Sequence, residues 1–323
     1  MLHLGRLRLL RELSSRGTIA AVADALQFTP SAVSQQLAML EREAGVPLLE
    51  RAGRGVRLTD AALVLVGHAE ALLDRAAEAE ADLAAAAGTV AGRGRIAGFK
   101  SVLVQLVLPA MERLVRAAPQ LRCELVEAEP EPALPALALG DLDLVVGDEW
   151  QHQPLRMPTG VQRHDLFGDP VRILLPARHP AARHDVVPLA ELAGEAWATG
   201  DAGLGWDEMT ERMCRGRGGF APDVRHRTND AAIAAALVGR GLGVTMLPAL
   251  PLPPRIPGVA VRDIAGGPVT RAIFAATRAA DAARPSTIAL FGAVRDVAAA
   301  RTPAGWGSGE VARGRSSAER MMS

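Results

Sequence analysis

A single long helix over residues 59 to 88 limits the fold of this chain more than any other feature, because it separates a short N-terminal part from a long C-terminal one. Thr59 and Asp60 supply its capping signal and Gly88 its stop. Leu58, Ala62, Leu65, Ala69, Leu72, Ala76, Ala79, Leu83 and Ala86 recur at alternating steps of four and three, the spacing of a coiled-coil seam held for about four heptads. The spacing predicts pairing with a second copy of the helix, and alanines in the seam predict close approach of the two backbones. An amphipathic helix packed on its own domain has the same pattern. The length of the helix and its position between two domains favour pairing.

A chain of 323 residues is long enough for about two domains, each with its own core. Its 36 basic residues equal its 36 acidic ones, so no net charge draws it to nucleic acid or to a membrane, and any nucleic-acid site must be a local patch. Cys123 and Cys214 lack the paired spacing of a zinc site, and two cysteines cannot staple a chain of this size, which points to a reducing compartment. The N-terminus carries arginine every two or three residues, which excludes the apolar core of a signal peptide, and no later run reaches the length of a membrane span. These features predict a cytoplasmic protein.

Residues 1 to 58 read as three short helices and a hairpin. In "TPSAVSQQLAMLEREAG", residues 29 to 45, Thr29 is suited to the N-cap, Pro30 to the first helical position and Gly45 to the stop. At 100° per residue, Val33, Leu37, Leu40 and Ala44 share one face, and Ser31, Ser34, Gln35, Ala38 and Arg42 share the opposite one. A helix over 18 to 26 precedes it, joined by Gln27, Phe28 and Thr29, a spacing that suits a helix-turn-helix. Small hydroxyl and amide side chains let a helix backbone approach base edges in a major groove, where long charged side chains would hold it off. The same face could be merely solvated. The adjoining "RAGRGVRLT" favours the duplex: Arg51, Arg54 and Arg57 stand within seven residues that contain no acid, and they supply the phosphate or minor-groove contact a neutral protein needs.

At these residues the chain closely resembles the LysR-type transcriptional regulators. The likeness is carried by "GTIAAVADALQFTPSAVSQQLAMLEREAGVPLLERAGRGVRLTDAA", with "AVSQQL", "GVPLLER" and "RGVRLT" as its marks. Many members have Gln-Pro where Pro30 and Ser31 stand, Arg at Gln35 and Phe at Leu49. The resemblance implies a winged helix-turn-helix that binds double-stranded DNA, with Pro30, Ser31, Ser34 and Gln35 facing the groove and Arg51 and Arg54 on the wing-side backbone. It also implies self-association as a dimer or tetramer.

From Gly92 the pattern changes to α/β. Short strand-like runs such as "GRIAGF", "LDLVVGD", "RILLPA" and "TRAIFAAT" are mostly separated by helical stretches at 103 to 117, 207 to 215 and 229 to 239, which predicts a mostly parallel sheet with helices on its faces. Residues 301 to 323 have no apolar period and predict a disordered tail. "GDLDLVVG", "LPARHP" and "GRGLGVTMLPAL" resemble landmarks of the same family's effector domain, which is similar to a two-lobed periplasmic binding protein. That implies lobe I at 92–163 plus 270–300, and lobe II at 164–269.

A small-molecule ligand belongs in the cleft at the carboxyl ends of the strands. Lys100 and Ser101 stand there in lobe I, and Thr199, Gly200, Thr228 and Asn229 in lobe II, with Asn229 able to cap the helix that follows. Lys100 is the only lysine of the chain, a compact charge suited to the carboxylate of an acid or amino acid, though it could equally be solvated. Trp206 could line the cleft or belong to the core. His152, His164, His179 and His184 lack metal-site spacing and read as loop residues; "GLGV" lacks the third glycine of a dinucleotide fingerprint; Asp141 and Asp143 suit the start of a strand. No metal, cofactor or catalytic triad is therefore expected. Two other classes stay open: an enzyme, for which Lys100 is the one candidate group, and a solute-binding protein, which would need an export signal and no wing.

Overall fold

The computed structural model describes residues 1–53, 55–88, 90–150 and 153–301. Arg54, His152 and the segment 302–323 lie outside the described residues, and with them one proposed DNA contact, one of the weighed histidines and nearly all of the expected tail.

The head is built from α1 (Leu4–Arg16), α2 (Ile19–Leu26), α3 (Pro30–Ala44) and the hairpin β1 (Leu49–Ala52) and β2 (Gly55–Leu58). Thr18 and Thr29 cap α2 and α3 by accepting from Ala21 N and Ala32 N, and Gly45 closes α3 in the left-handed region. Gln27 takes φ 56° in the turn between α2 and α3, a conformation that few residues other than glycine adopt. Leu7, Leu10, Val33, Leu37, Leu40 and Leu48 form one buried core, and each fully buried leucine contributes about 2 kcal/mol of transfer free energy.

The long helix is α4 (Asp60–Ala87), with Thr59 as N-cap and Gly88 as C-cap. Its seam is divided. Ala62 and Ala69, with Val66, are buried in the head core, so the first two turns face the protein's own domain. Leu72 and Leu83 remain exposed and continue the stripe beyond the head. The amphipathic reading thus holds for the first half of the seam, because the head needs a fourth helix to cover α1.

The C-terminal part contains β3 (Gly92–Gly98), α5 (Lys100–Val102) running through a π turn into α6 (Leu108–Ala117), β4 (Leu121–Glu127), α7 (Pro130–Leu139), β5 (Leu144–Trp150), β6 (Val161–Pro176), β7 (Val186–Val187), β8 (Ala196–Thr199), α8 (Gly205–Met213), β9 (Asp223–Arg227), α9 (Ala231–Gly239), β10 (Thr245–Pro248), β11 (Val259–Ile264), β12 (Thr270–Arg278) and α10 (Pro285–Arg301). Eight strands share one sheet in the order β4-β3-β5-β12-β6-β11-β7, with β10 also on β6. The expectation of a mostly parallel sheet is corrected: β3 is parallel to β4 and β5, but β12, β6, β10 and β11 join through antiparallel ladders. The return of β12 into lobe I from the far end of the chain reverses the direction, which local strand patterns cannot show.

Strand β6 makes the architecture two-lobed. Through Pro170 it pairs with β12 in lobe I, and from Val171 it pairs with β10 and β11 in lobe II. The expected crossover at 163/164 falls inside the lobe I half of this strand. Helices α6 and α10 cover one face of the lobe I sheet and α7 the other. Lobe II has its own cores around Trp197 and Met246, and around Leu174 and Val238.

Candidate nucleic-acid interface and interlobe cleft

Pro30, Ser31, Ser34 and Gln35 are all exposed on α3, opposite the buried Val33, Leu37 and Leu40. The Ser34 hydroxyl donates back to the Pro30 carbonyl at 2.9 Å, which leaves its lone pairs outward. Arg51 is exposed on β1. Its neighbour Arg57 is ion-paired with Glu50 across the hairpin, so it is less available to phosphate than Arg51. Glu41 sets the position of the wing: its carboxylate accepts from Leu48 N at 2.8 Å and Leu49 N at 3.0 Å, which ties the start of β1 to the recognition helix. Glu41 lies inside the family-like stretch, but nothing in the sequence analysis singled it out. The signal that could have found it is an acid on a helix just before a short apolar strand.

The parallel strands β3, β4 and β5 end at one edge of lobe I, at Phe99–Ser101, Ala128–Glu129 and Glu149–Trp150. Parallel strands β8 and β9 of lobe II end at Gly200–Asp201 and Thr228–Asp230. Lys100 joins the two edges: its ammonium is 3.9 Å from the Asp230 carboxylate of the other lobe, a spacing that attracts but leaves its hydrogen-bond donors free. The Ser101 hydroxyl is taken, accepting from Arg271 Nη2 at 3.1 Å.

Among the lobe II candidates, the structure separates side chains from backbone. Thr199 is fully buried and its hydroxyl donates to Thr210, so it turns away from the cleft. Gly200 is also buried; a Cβ there would stand 2.9 Å from Asn229 Oδ1, so any larger residue would displace the Asn229 amide. Asn229 does not cap α9. Its amide oxygen accepts from Asp201 N at 3.0 Å and its Nδ2 donates to the Asp201 carboxylate at 2.7 Å, and Asp230 caps the helix through Ala232 N and Ile233 N. The Thr228 hydroxyl accepts from Asp230 N at 3.1 Å. Trp206 belongs to the core, its indole donating to the Met246 carbonyl at 2.7 Å.

The floor of the cleft is a buried charge cluster that sequence reasoning did not find. Arg271 on β12 is 6% exposed and donates to Asp169 and Asp148 at 2.9 Å each. It also lies over the rings of Phe99 and Trp150. Asp169, wholly buried on β6 next to the lobe crossover, accepts a further bond from Leu250 N at 2.9 Å. Burial raises the carboxyls of Asp148 and Asp169 above the ordinary range, and the Arg271 guanidinium offsets part of that. At the rim, burial and the nearby Asp148 and Glu131 push the Glu129 carboxyl up to about 7, although solvent still reaches this residue.

The other weighed residues have local roles. His164 lies in β6, not in a loop, and stacks on Phe291 while bonding Thr277. His179 caps a 3-10 turn and meets Glu195, and His184 is 3.7 Å from Glu191. Asp143 starts β5 by accepting from Arg95 N at 2.7 Å. Asp141 instead pairs with Arg16 of the head. In "GLGV", Gly243 lies where a Cβ would be 2.5 Å from the Ala196 carbonyl, so close strand approach accounts for that glycine.

A helix-turn-helix with a wing, a long helix and a two-lobed α/β body is matched by two family models. Residues 4–63 match the bacterial regulatory helix-turn-helix protein, lysR family, and residues 87–299 match the LysR substrate binding domain. The chain belongs to the LysR family. This LysR-family regulator is 32% identical to the HTH-type transcriptional regulator ShiR of Corynebacterium glutamicum (strain R) over 239 residues, 70% of this chain and 79% of ShiR. It is 30% identical to the hydrogen peroxide-inducible genes activator of Escherichia coli O6:H1 over 233 residues, 72% of this chain and 74% of the relative. A full-length OxyR variant from Pseudomonas aeruginosa shares its fold, with a TM-score of 0.63, 22% identity and coverage of 91% of this chain and 98% of that one. The regulator is thus a ligand-responsive transcription factor that binds DNA through its head, and none of its described helices is long and apolar enough to cross a membrane.

Proposed function

We propose that this LysR-family protein reads its operator with Pro30, Ser31, Ser34 and Gln35, grips the duplex backbone with Arg51 and Arg54, and responds to a small carboxylate or amino acid held between its lobes. The observation that carries the effector reading is Lys100, the sole lysine, whose ammonium reaches across from lobe I to Asp230 without a hydrogen bond. A ligand carboxylate entering there replaces a weak contact between two solvated groups by a charge-assisted hydrogen bond. Its amino group would face the acidic rim at Glu129. Ser101, Thr228 and Asn229 shape the walls, and Thr199 and Gly200 contribute backbone. A ligand touching both lobes stabilises the closed form by its differential affinity and so shifts the paired heads. The protein binds rather than turns over its ligand, and it acts in the cytoplasm as a homo-oligomer joined along the exposed Leu72–Leu83 half of α4.

The test is thermal shift of the full chain with amino acids and small carboxylates. A hit raises the melting temperature of the wild type and loses that effect in Lys100→Ala. An equal shift in the variant removes Lys100 from the site.

The peroxide trigger named for one relative does not suit these thiols. Cys214 is fully buried and burial pushes its thiol up to about 12, while burial also raises Cys123, and only the thiolate reacts readily. The two stand in different lobes. Treatment with hydrogen peroxide is expected to leave DNA affinity unchanged in gel retardation; a reversible change that Cys214→Ser abolishes would overturn this reading.

A further inference from the structure

Helix α7 touches both functional parts of the chain. At its amino end, Ala128 N donates to the Gly98 carbonyl at 3.0 Å, one residue before the cleft segment Phe99–Ser101. The N-cap, Glu129, lies in the field of Asp148, which is held by Arg271 on the cleft floor. At its carboxyl end, the Leu139 carbonyl accepts from Arg11 Nη2 of the head at 2.9 Å. Two residues on, Asp141 is ion-paired with Arg16. Arg11 is 7% exposed, and Glu12 between the two arginines is wholly buried and accepts from Arg16 at 2.7 Å. Cationic side chains at a helix carboxyl end also meet the negative pole of its dipole.

These contacts join the head to lobe I alongside α4, whose Asp74 lies in the field of Arg11. Along its length α7 is held by Ala133, Leu134 and Leu137 against Val145 and Phe274. Pro130 and Pro132 fall in its first turn, where no amide is needed, and fix φ next to the cleft. Pro135 removes one hydrogen bond in mid-helix, so it is this packing on the sheet that lets α7 pass a displacement from one end to the other, and α1 receives it as part of the head core.

We propose that α7 is a coupling rod that carries the position of the cleft wall to the DNA-binding head, with Arg11 and Arg16 as its receiving side chains. This rests on the cleft being the effector site. Opening or closing at Lys100–Asp230 displaces the Phe99–Glu129 wall, α7 moves with it, and the head turns through the Leu139–Asp141 contact.

Hydrogen exchange of the full-length protein tests the rod without a ligand. Lys100→Glu places like charges across the cleft mouth and forces it open. Exchange at residues 98–101 and 228–231 rises, and exchange at 10–16 of the head rises by about threefold, the size a partly exposed ion pair supports. In an Asp141→Asn background, Lys100→Glu still alters the cleft amides but no longer those of the head. Arg16→Gln, which breaks the same pair from the head side, repeats the measurement where Asp141→Asn perturbs folding. An unchanged head in Lys100→Glu, or an equal response with and without Asp141, overturns the rod while leaving the cleft in place. No response at the cleft amides themselves overturns the cleft reading, and the rod with it.

Discussion

Replacing Arg271 by alanine lowers the melting temperature of the effector domain by about 10 °C, from a loss of about 3–5 kcal/mol for a buried charge pair deprived of one partner. The guanidinium neutralises two carboxylates that have little access to water, Asp169 at 0% and Asp148 at 12% side-chain exposure. With the cation gone, each must stay charged in an apolar setting or take up a proton; burial already raises both. Lysine recovers only part of the loss, because one ammonium cannot reach Asp148, Asp169 and Ser101 in the fork that Arg271 makes. The triple change Arg271→Met, Asp148→Asn, Asp169→Asn separates two causes. It recovers most of the stability if unpaired charge is the cost, and little if the stacking on Phe99 and Trp150 dominates. An Arg271→Ala protein that melts with the wild type would show that the cluster at the lobe crossover does not hold the hinge.

Gln35→Ala reduces affinity for DNA from upstream of the protein's own gene by about 1–3 kcal/mol, the worth of one side chain reading a base edge, and leaves affinity for unrelated duplex unchanged. Gln35 is exposed on α3 with no intramolecular bond among the described contacts, so the change removes no internal support. Arg51→Ala has the opposite profile. It weakens binding to every sequence and lowers the slope of log affinity against log salt by about one, the release of one counterion. Fluorescence anisotropy over a salt series distinguishes them. If Gln35→Ala weakened specific and unrelated duplex equally, the exposed face of α3 would grip rather than read, and specificity would have to reside in the wing.

The N-terminal part was legible in the sequence to within a residue or two. Thr29 and Thr59 cap the helices they were expected to cap, Gly45 and Gly88 end theirs, and the leucine period of α3 faces the core; α2 starts one residue later than expected, with Thr18 as its cap. Each of these depends on groups within about four positions along the chain, so the sequence contains both partners side by side. The alternation of strands and helices was legible for the same reason, but the direction of the strands was not.

Legibility ended where a group had a choice of distant partners. Asn229 was a reasonable cap for α9, yet Asp201, 28 residues away, draws it aside and Asp230 takes its place. Three prolines in residues 130–135 argue against a helix, yet burial of Leu134 and Leu137 on the sheet holds α7 together. Arg271 meets Asp169 and Ser101 from 102 and 170 residues away, and Arg16 meets Asp141 from 125. The sequence by itself determined the helices of the head and the long helix after it, their ends, the polar face of α3 and the family. Only the tertiary structure decided which charges are buried together, where the lobes hinge and what the head rests on. A charge in water has no preferred partner among many, and one withdrawn from water must have the partner that the fold brings to it.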